Sequence, residues 1–177
     1  MFKVSEIITC APQDFFSPLQ QKVYETFATL GIPFWRVDTD PGLTMEDCRH
    51  IEAGIGARIV KTIFLCNRQQ TEFYLYVTTD ERPFVTREFC GALTIPRVSF
   101  APPDKLMQFT GVEVGATTIL SAILPQSAGV RLVMDRSVAC GTWFACTDGT
   151  PTCFVKIRTA DLLEKYLPAS GHSLTFI

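Results

Sequence analysis

The feature that most constrains the fold is a pair of apolar segments separated by three polar residues. "RIVKTIFLCN" and "TEFYLYVTT" are rich in β-branched and aromatic residues, and only "RQQ" lies between them. This pattern predicts a β-hairpin. Lys61 opens the apolar run "KTIFLCN", where its stem can pack on a sheet while its charged head must reach water or an anion. A solvent-facing lysine and a ligand-binding lysine both fit that position.

The residues before the hairpin predict two helices and a strand. "SPLQQKVYETFATL", residues 17–30, places its apolar residues three and four apart and is followed by Gly31, which predicts an amphipathic helix. "IPFWRVD" is a short β-prone run. "TMEDCRHIEAG" predicts a second helix, with Thr44 as its N-cap and Gly54 at its end.

The residues after the hairpin mix both kinds of element. "RPFVTREFCGAL", "APPDKLMQFTG" and "TADLLEKYL" predict helices, the last with Thr159 as its cap. The strand-like segments are "RVSF", "TTILSAIL", "VRLVMD" and "CFVKIR". We find no repeat or linker, so the sequence predicts one domain over residues 1–177. Its fold class is α+β, with a curled, mixed but mainly antiparallel, barrel-like sheet and surrounding helices.

The sequence lacks the motifs of several functional classes. Neither G-x-x-x-x-G-K-[ST] nor G-x-G-x-x-G occurs, which argues against nucleotide hydrolysis and dinucleotide binding, and the G-x-S-x-G nucleophile elbow is also missing. The seven cysteines include no C-x-x-C pair, and the two histidines are far apart. We therefore expect reduced cysteines, no metal and no cofactor. The net charge of −2 restricts any nucleic-acid contact to a local cationic patch.

The sequence also predicts where the protein acts. No run of eighteen apolar residues occurs, and "MFKVSEIITCAPQDFF" lacks the basic-then-apolar order of a secretory signal. We expect a cytoplasmic protein with no membrane partner, and a monomer by default.

A second candidate for function is "GVEVGATTILS", residues 111–121. Its small residues would let the backbone approach a ligand closely, because Gly115 can adopt dihedral angles that other residues avoid. An ordinary turn that leads into a strand explains the same segment.

Several stretches together resemble one family. "LGIPFWRVDTDPGLTMEDC", "IVKTIFLCN", "FYLYVTTDERPF", "RVSFAPPDKLMQFTGVEVGATT", "VRLVMDRSV" and "TADLLEKYLPASGH" resemble, in this order, the free-standing prolyl-tRNA editing proteins of the YbaK/ProX type. Those proteins are related to the editing insertion of bacterial prolyl-tRNA synthetase. The resemblance implies their editing-domain fold and a trans-acting deacylase that hydrolyses the ester of mischarged aminoacyl-tRNA, with mischarged tRNA-Pro as the leading substrate.

The resemblance also implies site residues. Lys61 falls on the family lysine that contacts the tRNA 3′ end, and Gly115 falls on the glycine of the family's G-x-x-x-P loop, so both are expected to be catalytic. The expected substrate-binding residues are Leu43, Thr44, Ser99, Ala116, Thr117 and Thr118.

Two positions depart from the family pattern. Ile119 stands where the loop carries proline, and "ACTDGTPT" stands where many members have a histidine–proline pair. Asp148 offers a polar group at the second position, although an aspartate in an Asp-Gly turn explains it better.

The expected mechanism needs no side chain as a nucleophile or general base. An aminoacyl ester is already activated, so the protein mainly orients the ester and stabilises charge while the neighbouring ribose hydroxyl assists the attacking water. The partners are the 3′ end of mischarged aminoacyl-tRNA and a cognate aminoacyl-tRNA synthetase. We expect Arg58, Lys61 and Arg68 to form a cationic lip. The alternative is a non-catalytic module that binds tRNA or a synthetase.

Overall fold

The structure is a computed structural model that describes residues 1–41 and 44–177. The α-helices in these ranges are α1 (Pro18–Leu30), α2 (Met45–Ile55), α3 (Thr86–Leu93), α4 (Pro103–Thr110), α5 (Arg136–Ala139), α6 (Thr159–Asp161) and α7 (Leu167–Ser170). The strands are β1 (Trp35–Asp38), β2 (Lys61–Asn67), β3 (Phe73–Thr78), β4 (Val98–Phe100), β5 (Val130–Met134), β6 (Trp143–Thr147), β7 (Cys153–Arg158) and β8 (Leu174–Phe176). Within the described ranges, no helix is both long enough and apolar enough to cross a membrane.

The strands form two sheets, ordered β1-β7-β6 and β4-β2-β3-β5-β8. The predicted hairpin is confirmed, since β2 and β3 pair antiparallel from Lys61↔Thr78 to Cys66↔Phe73. β5 runs parallel to both β3 and β8, while the other pairings are antiparallel. The prediction of a mixed, mainly antiparallel α+β fold is therefore confirmed.

The prediction of a barrel-like sheet is wrong, because the two sheets do not close on each other. In residues 1–41 and 44–177 they are joined where Ile59 bridges Ala145 and the Val60 amide donates to the Ala145 carbonyl at 2.9 Å. Further along the same edge of β2, residues 65–67 pair with β4 instead. β6 and β4 therefore share one edge of β2 at opposite ends, and the sheets diverge between them.

The main core fills the space between the sheets, and two smaller cores cover their other faces. Phe27 of α1, Ile119 and Tyr166 are fully buried in the main core. α2 covers part of the smaller sheet, with Ile51 packed near Val37 and Phe154. α3 covers the larger sheet through contacts of Phe89 with tyrosines of β3.

The ends of α1 and α2 follow local sequence signals. α1 has Ser17 as N-cap and ends at Gly31, where φ is +63°, as predicted. Thr44 caps α2, as predicted, but Gly54 is not its end, because the helix continues to Ile55 and stops at Gly56. The close packing of the N-terminal segment explains a glycine inside the helix, because a Cβ at position 54 would lie 2.9 Å from Val4 Cγ1.

Two other local predictions are wrong. "TTILSAIL" contains a 3₁₀ helix (Ile119–Ile123) rather than a strand, because the Thr118 hydroxyl accepts from Leu120 N and the Ser121 hydroxyl donates to Thr118 O. Thr159 is the first residue of α6 and not its cap, since Arg158 occupies the N-cap position. The helical segment then continues through a π-helix (Leu162–Tyr166) into α7.

Candidate functional site

Lys61 begins β2 with an exposed side chain. Side chains alternate between the faces of a strand, so Lys61 lies on the same face as Ile59 and Ile63. Ile63 packs with α3 in the second core, and Ile59 packs against the α2 core. Among residues 1–41 and 44–177, Lys61 takes part in no ion pair. Its ammonium group is therefore free, within that part of the chain, to bind an anionic ligand.

Gly115 lies in an exposed turn after α4, with φ at +95°. That φ favours glycine, whereas a Cβ at this position would have no neighbour within 4 Å. The amide of Ala116 donates to the Glu113 carbonyl at 3.1 Å. Within the described residues, no hydrogen bond uses the amide N–H of Gly115 or Thr117. The turn thus presents backbone donors that a ligand can use.

The residues after the turn are buried and fixed. Ala116 packs in the main core, Thr117 is half-buried, and Thr118 is fully buried with its hydroxyl 3.5 Å from Cys146 Sγ. Burial raises the pKa of the Cys146 thiol to about 12. Ile119 is the first residue of the 3₁₀ helix, and the Thr118 side chain caps that helix. The bend is therefore formed without the proline that the family pattern has at this position.

The residue before Lys61 and a residue after the Gly115 turn contact consecutive residues of β6. The amide of Val60 binds the carbonyl of Ala145, and the Thr118 side chain contacts Cys146. The two approaches come from different sides, since Ala145 belongs to the α2 core and Cys146 to the main core. The structure brings both segments to the junction of the two sheets, with Lys61 on the outer face and Ala116 on the inner face.

A cavity of about 220 Å³ lies beside the Gly115 turn. It is lined by the start of α1, by Gly111 to Val114, by Ala116, and by Gly149 and Pro151 of the β6–β7 connection. Of the expected site residues in the described ranges, Ala116 lines this cavity. The others do not, namely Lys61, Gly115, Thr44, Ser99, Thr117 and Thr118.

The β6–β7 connection is held by a buried carboxylate. Asp148 is 0% exposed, and one of its oxygens accepts from Gln20 Nε2 at 2.9 Å and from the Tyr24 hydroxyl at 2.8 Å. The other oxygen accepts from the Thr150 hydroxyl at 2.8 Å. Gly149 follows with φ at +97°, so the expected Asp-Gly turn is confirmed. Burial, and then the charge of Asp148, raise the pKa of Tyr24 strongly.

Sequence reasoning missed Gln20 and Tyr24 as partners of this carboxylate. They precede Asp148 by more than 120 residues, so no local spacing connects them. A polar glutamine on the buried face of α1 was the one available signal, because a buried amide needs a hydrogen-bond partner.

Of the remaining expected residues, Thr44 and Ser99 are exposed. Leu43 lies outside the described residues. Thr44 forms a capping box, in which its hydroxyl accepts from the Asp47 amide at 3.2 Å and its own amide donates to Asp47 Oδ2 at 2.8 Å. Ser99 pairs with Cys66 near the other end of β2, which separates it from Lys61 by about 16 Å along the strand.

The expected cationic lip of Arg58, Lys61 and Arg68 is wrong. Arg58 forms ion pairs with Asp80 at 3.1 Å and with Glu81 at 2.5 Å, which neutralise its charge. Arg68 follows the last residue of β2, whereas Lys61 is the first. Of these three cations, Lys61 is the one that lies near the junction of the sheets without an ion pair in the described residues.

Comparisons with known proteins agree with the resemblance found in the sequence. Residues 39–165 match the model of the aminoacyl-tRNA editing domain, a range that includes Lys61 and Gly115. The prolyl-tRNA editing protein ProX of Acetoanaerobium sticklandii is 23% identical over 158 residues, which cover 89% of this chain and 96% of that protein.

Two solved structures share the fold. The hypothetical protein APE2540 has a TM-score of 0.66 at 20% identity, with 88% of this chain and 97% of that chain covered. A protein described as a proposed trans-editing enzyme for prolyl tRNA synthetase has a TM-score of 0.64 at 15% identity, with 92% and 98% covered. The family match spans well over half of the sequence, and the chain belongs to the aminoacyl-tRNA editing domain family.

Proposed function

We propose that this protein is a trans-acting deacylase that hydrolyses the ester bond of mischarged aminoacyl-tRNA, with mischarged tRNA-Pro as its leading substrate. The observation that carries the proposal is the editing-domain match over residues 39–165, which includes both Lys61 and the Gly115 turn. The likeness to the ProX protein over nearly its whole length supports proline tRNA as the nucleic acid.

Lys61 binds the 3′ end of the tRNA in this proposal. Its side chain is exposed and unpaired within the described residues, so no intramolecular ion pair has to be broken before it binds a phosphate. An ammonium–phosphate hydrogen bond is charge-assisted and is about twice as strong as a neutral one. The strand behind Lys61 is buried, which fixes the position of its backbone.

The Gly115 turn stabilises charge at the ester. Attack of water on the ester carbonyl places a negative charge on its oxygen, and backbone N–H groups that already point at that position lower the barrier. The amides of Gly115 and Thr117 are not used elsewhere in the described residues and lie in a turn that the Thr118 cap fixes. The neighbouring ribose hydroxyl assists the water, so no protein side chain has to act as the base.

The cavity beside the turn receives the amino-acid side chain. At about 220 Å³ and with Ala116 in its wall, the cavity has room for an amino-acid side chain, and in this proposal its shape rejects the side chains that do not fit by steric clash. Steric exclusion of a larger amino acid can discriminate between substrates by more than the ~1–3 kcal/mol of binding energy that one missing methylene removes. The Asp148 network holds Gly149 and Pro151, which form the opposite wall.

A non-catalytic module that binds tRNA or a synthetase is the second candidate. It is favoured by one observation, namely that Lys61 does not line the cavity beside Gly115. In either case we propose one editing domain over residues 1–177 that acts in the cytoplasm as a monomer, with a cognate synthetase as an additional partner.

Initial rates of hydrolysis on a panel of charged proline tRNAs test the proposal. The panel carries proline, alanine, serine, threonine and a nonprotein amino acid. We expect turnover on at least one mischarged tRNA and a loss of about 10- to 100-fold in Lys61→Ala, because a hydrogen bond to a charged group is worth about 1.5–3 kcal/mol.

Arg68→Ala is the matched control, since it removes an exposed cation from the other end of the same strand. We expect its rate to stay within about twofold of the wild-type rate, as is usual for a surface substitution. Wild-type turnover that survives Lys61→Ala would remove Lys61 from the site. Hydrolysis of no tRNA, together with retained tRNA binding, would favour the binding module.

A further inference from the structure

An exposed group of two tryptophans and two cations lies on the smaller sheet, outside the site described above. Trp35 of β1, Trp143 of β6, and Lys156 and Arg158 of β7 form this group, which we call the tryptophan surface. Trp35 pairs with Lys156, and Trp143 pairs with Arg158. Paired residues of antiparallel strands share a face, and residues two apart on one strand do as well, so all four side chains lie on one face.

The four side chains contact one another. Lys156 Nζ lies 4.9 Å from the centroid of the Trp143 ring and 5.5 Å from that of Trp35. The guanidinium carbon of Arg158 lies 5.7 Å from the centroid of Trp143. The two indole rings meet edge to face, with centroids 5.2 Å apart. These contacts hold the charged groups against the rings at fixed positions.

The tryptophan surface is open, and its charges are not neutralised by acidic side chains. Trp143 is 38% exposed, Arg158 is exposed, and Lys156 and Trp35 are half-buried. In the described ranges, neither Lys156 nor Arg158 forms an ion pair. α2 covers the neighbouring part of the same face, where Val37, Ala145 and Phe154 are buried, and leaves this part uncovered.

We propose that the tryptophan surface binds unpaired nucleotides of an RNA strand. Indole rings stack on bases of any sequence, guanidinium planes also stack on bases, and cations beside the rings bind the phosphates between them. Lysine is depleted at protein–protein interfaces, whereas Lys156 lies against both indole rings at the centre of this surface. A single-stranded RNA offers bases to the indole rings and phosphates to the cations.

The tryptophan surface lies on the same face of the protein as Lys61. Its connection to the editing site rests on the proposed function. Ala145 lies opposite Lys156 on β7 and also bridges Ile59, two residues before Lys61. Strand spacing places Lys61 about 10 to 15 Å from the tryptophan surface on the same face, with the α2 core that buries Ala145 between them. The bound nucleotides would thus be those that precede the acylated end of the tRNA.

Tryptophan fluorescence tests this inference directly, because Trp35 and Trp143 are the two tryptophans of the chain. The probes are an uncharged proline tRNA transcript, a short single-stranded RNA that ends in CCA, and a blunt RNA duplex. We expect the first two to quench the emission at saturation and the duplex to bind more weakly. An unchanged emission with all three RNAs would overturn the inference.

Two variants identify the groups responsible. Trp143→Ala should weaken binding of the single strand by about tenfold, because loss of one stacking side chain has an effect of that order. Lys156→Gln combined with Arg158→Gln should reduce the salt dependence of log K by about 1.4, at about 0.7 for each phosphate contact. The double variant leaves every buried core side chain in place, so its urea midpoint should match that of the wild type.

Arg131→Gln is the matched control, since Arg131 also lies over an aromatic ring, that of Tyr74 at 5.3 Å, but on the other sheet. It should bind RNA as the wild type does, and equal losses in the control and the double variant would overturn the inference. Deacylation separates this inference from the proposed function. Hydrolysis without RNA-dependent quenching contradicts the tryptophan surface alone, whereas quenching without hydrolysis of any tRNA contradicts the deacylase alone.

Discussion

At the scale of single residues, the most constrained group is the carboxylate of Asp148. It is fully buried and accepts hydrogen bonds from Gln20, Tyr24 and Thr150, which come from two distant parts of the chain. The sequence predicted its Asp-Gly turn from local preference. It could not predict the partners, because hydrogen bonds between distant residues depend on packing and leave no periodic pattern.

Asp148→Ala should lower the free energy of unfolding by about 3 kcal/mol, because it leaves the buried Tyr24 hydroxyl and Gln20 amide without an acceptor. Urea denaturation measures the change. Asp148→Asn keeps one acceptor oxygen and should lose about half as much. Asp104→Ala, on the exposed first turn of α4, is the control and should change stability little. Equal stability of Asp148→Ala and the wild type would contradict the role of this network.

Two glycines with similar backbone angles should respond differently to alanine. Gly115 has φ at +95° and open space around its Cβ position, so Gly115→Ala should cost about 1–2 kcal/mol of stability from the backbone alone. Gly149 has φ at +97°, and a Cβ there would lie 2.6 Å from Leu19 Cδ2, so Gly149→Ala should cost more.

Gly115→Ala also tests whether the turn positions the ester, separately from its effect on stability. Gly115→Ala should slow deacylation at a temperature where the protein stays folded, because it moves the backbone donors of the turn. Urea midpoints and initial rates measured together decide between the two effects. A Gly115→Ala protein with the full wild-type rate would remove the turn from the proposed mechanism.

At the scale of elements, local signals predicted most helices and the central hairpin. The hairpin from β2 to β3 follows from its β-branched and aromatic residues and its short polar connection. The segment that contains Ile119–Ile123 has the same apolar composition but is helical, because the side chains of Thr118 and Ser121 bond to nearby backbone groups. The apolar composition of the segment does not show that these side-chain hydrogen bonds favour a helix over a strand.

Thr44→Ala should destabilise α2 through loss of its capping box. An N-cap threonine contributes about 1 kcal/mol, and Thr44→Ser should retain most of that contribution because it keeps the hydroxyl. Thermal unfolding measures both variants. A rise in KM for mischarged tRNA in Thr44→Ala, at a temperature where it is fully folded, would give Thr44 the substrate contact expected from the sequence. An unchanged KM would restrict Thr44 to capping.

At the scale of the whole molecule, the fold class was predictable and the closure of the sheet was not. Whether a curled sheet closes depends on which strands share an edge, and here β4 and β6 divide one edge of β2 between them. The strand β6 forms that junction, and residues Trp143–Thr147 are not among the strands predicted from the sequence. The sequence could place Lys61 and Gly115 in one family pattern, but it could not show that the segments carrying them contact β6 from different faces.

Stability should fall in alkaline solution, because several acidic protons are buried in the fold. Burial raises the pKa of Tyr24, Tyr166, Cys146 and Cys153. In the unfolded chain thiols lose their protons near pH ~8.5 and tyrosines near ~10, so above these values the unfolded state binds fewer protons than the folded state. The free energy of unfolding therefore decreases as pH rises, by up to about 1.4 kcal/mol per pH unit for each group.

Urea midpoints from pH 7 to 11 in the presence of a reductant measure this decrease. We expect a plateau below pH ~8 and a fall above it. Cys146→Ala removes one of the buried groups, so unfolding at alkaline pH should release about one proton fewer. The fall of the urea midpoint with pH should therefore be less steep. Identical midpoints at neutral and alkaline pH would contradict the assignment of these groups as protonated in the fold.

The most direct test of the central claim is the ratio of initial hydrolysis rates for mischarged and correctly charged proline tRNA with the wild-type protein. The account predicts that proline tRNA carrying a small amino acid is hydrolysed well above the spontaneous rate, while prolyl-tRNA-Pro is spared. Spontaneous rates for every charged tRNA, or equal enzymatic rates for the correct and incorrect amino acids, would contradict it.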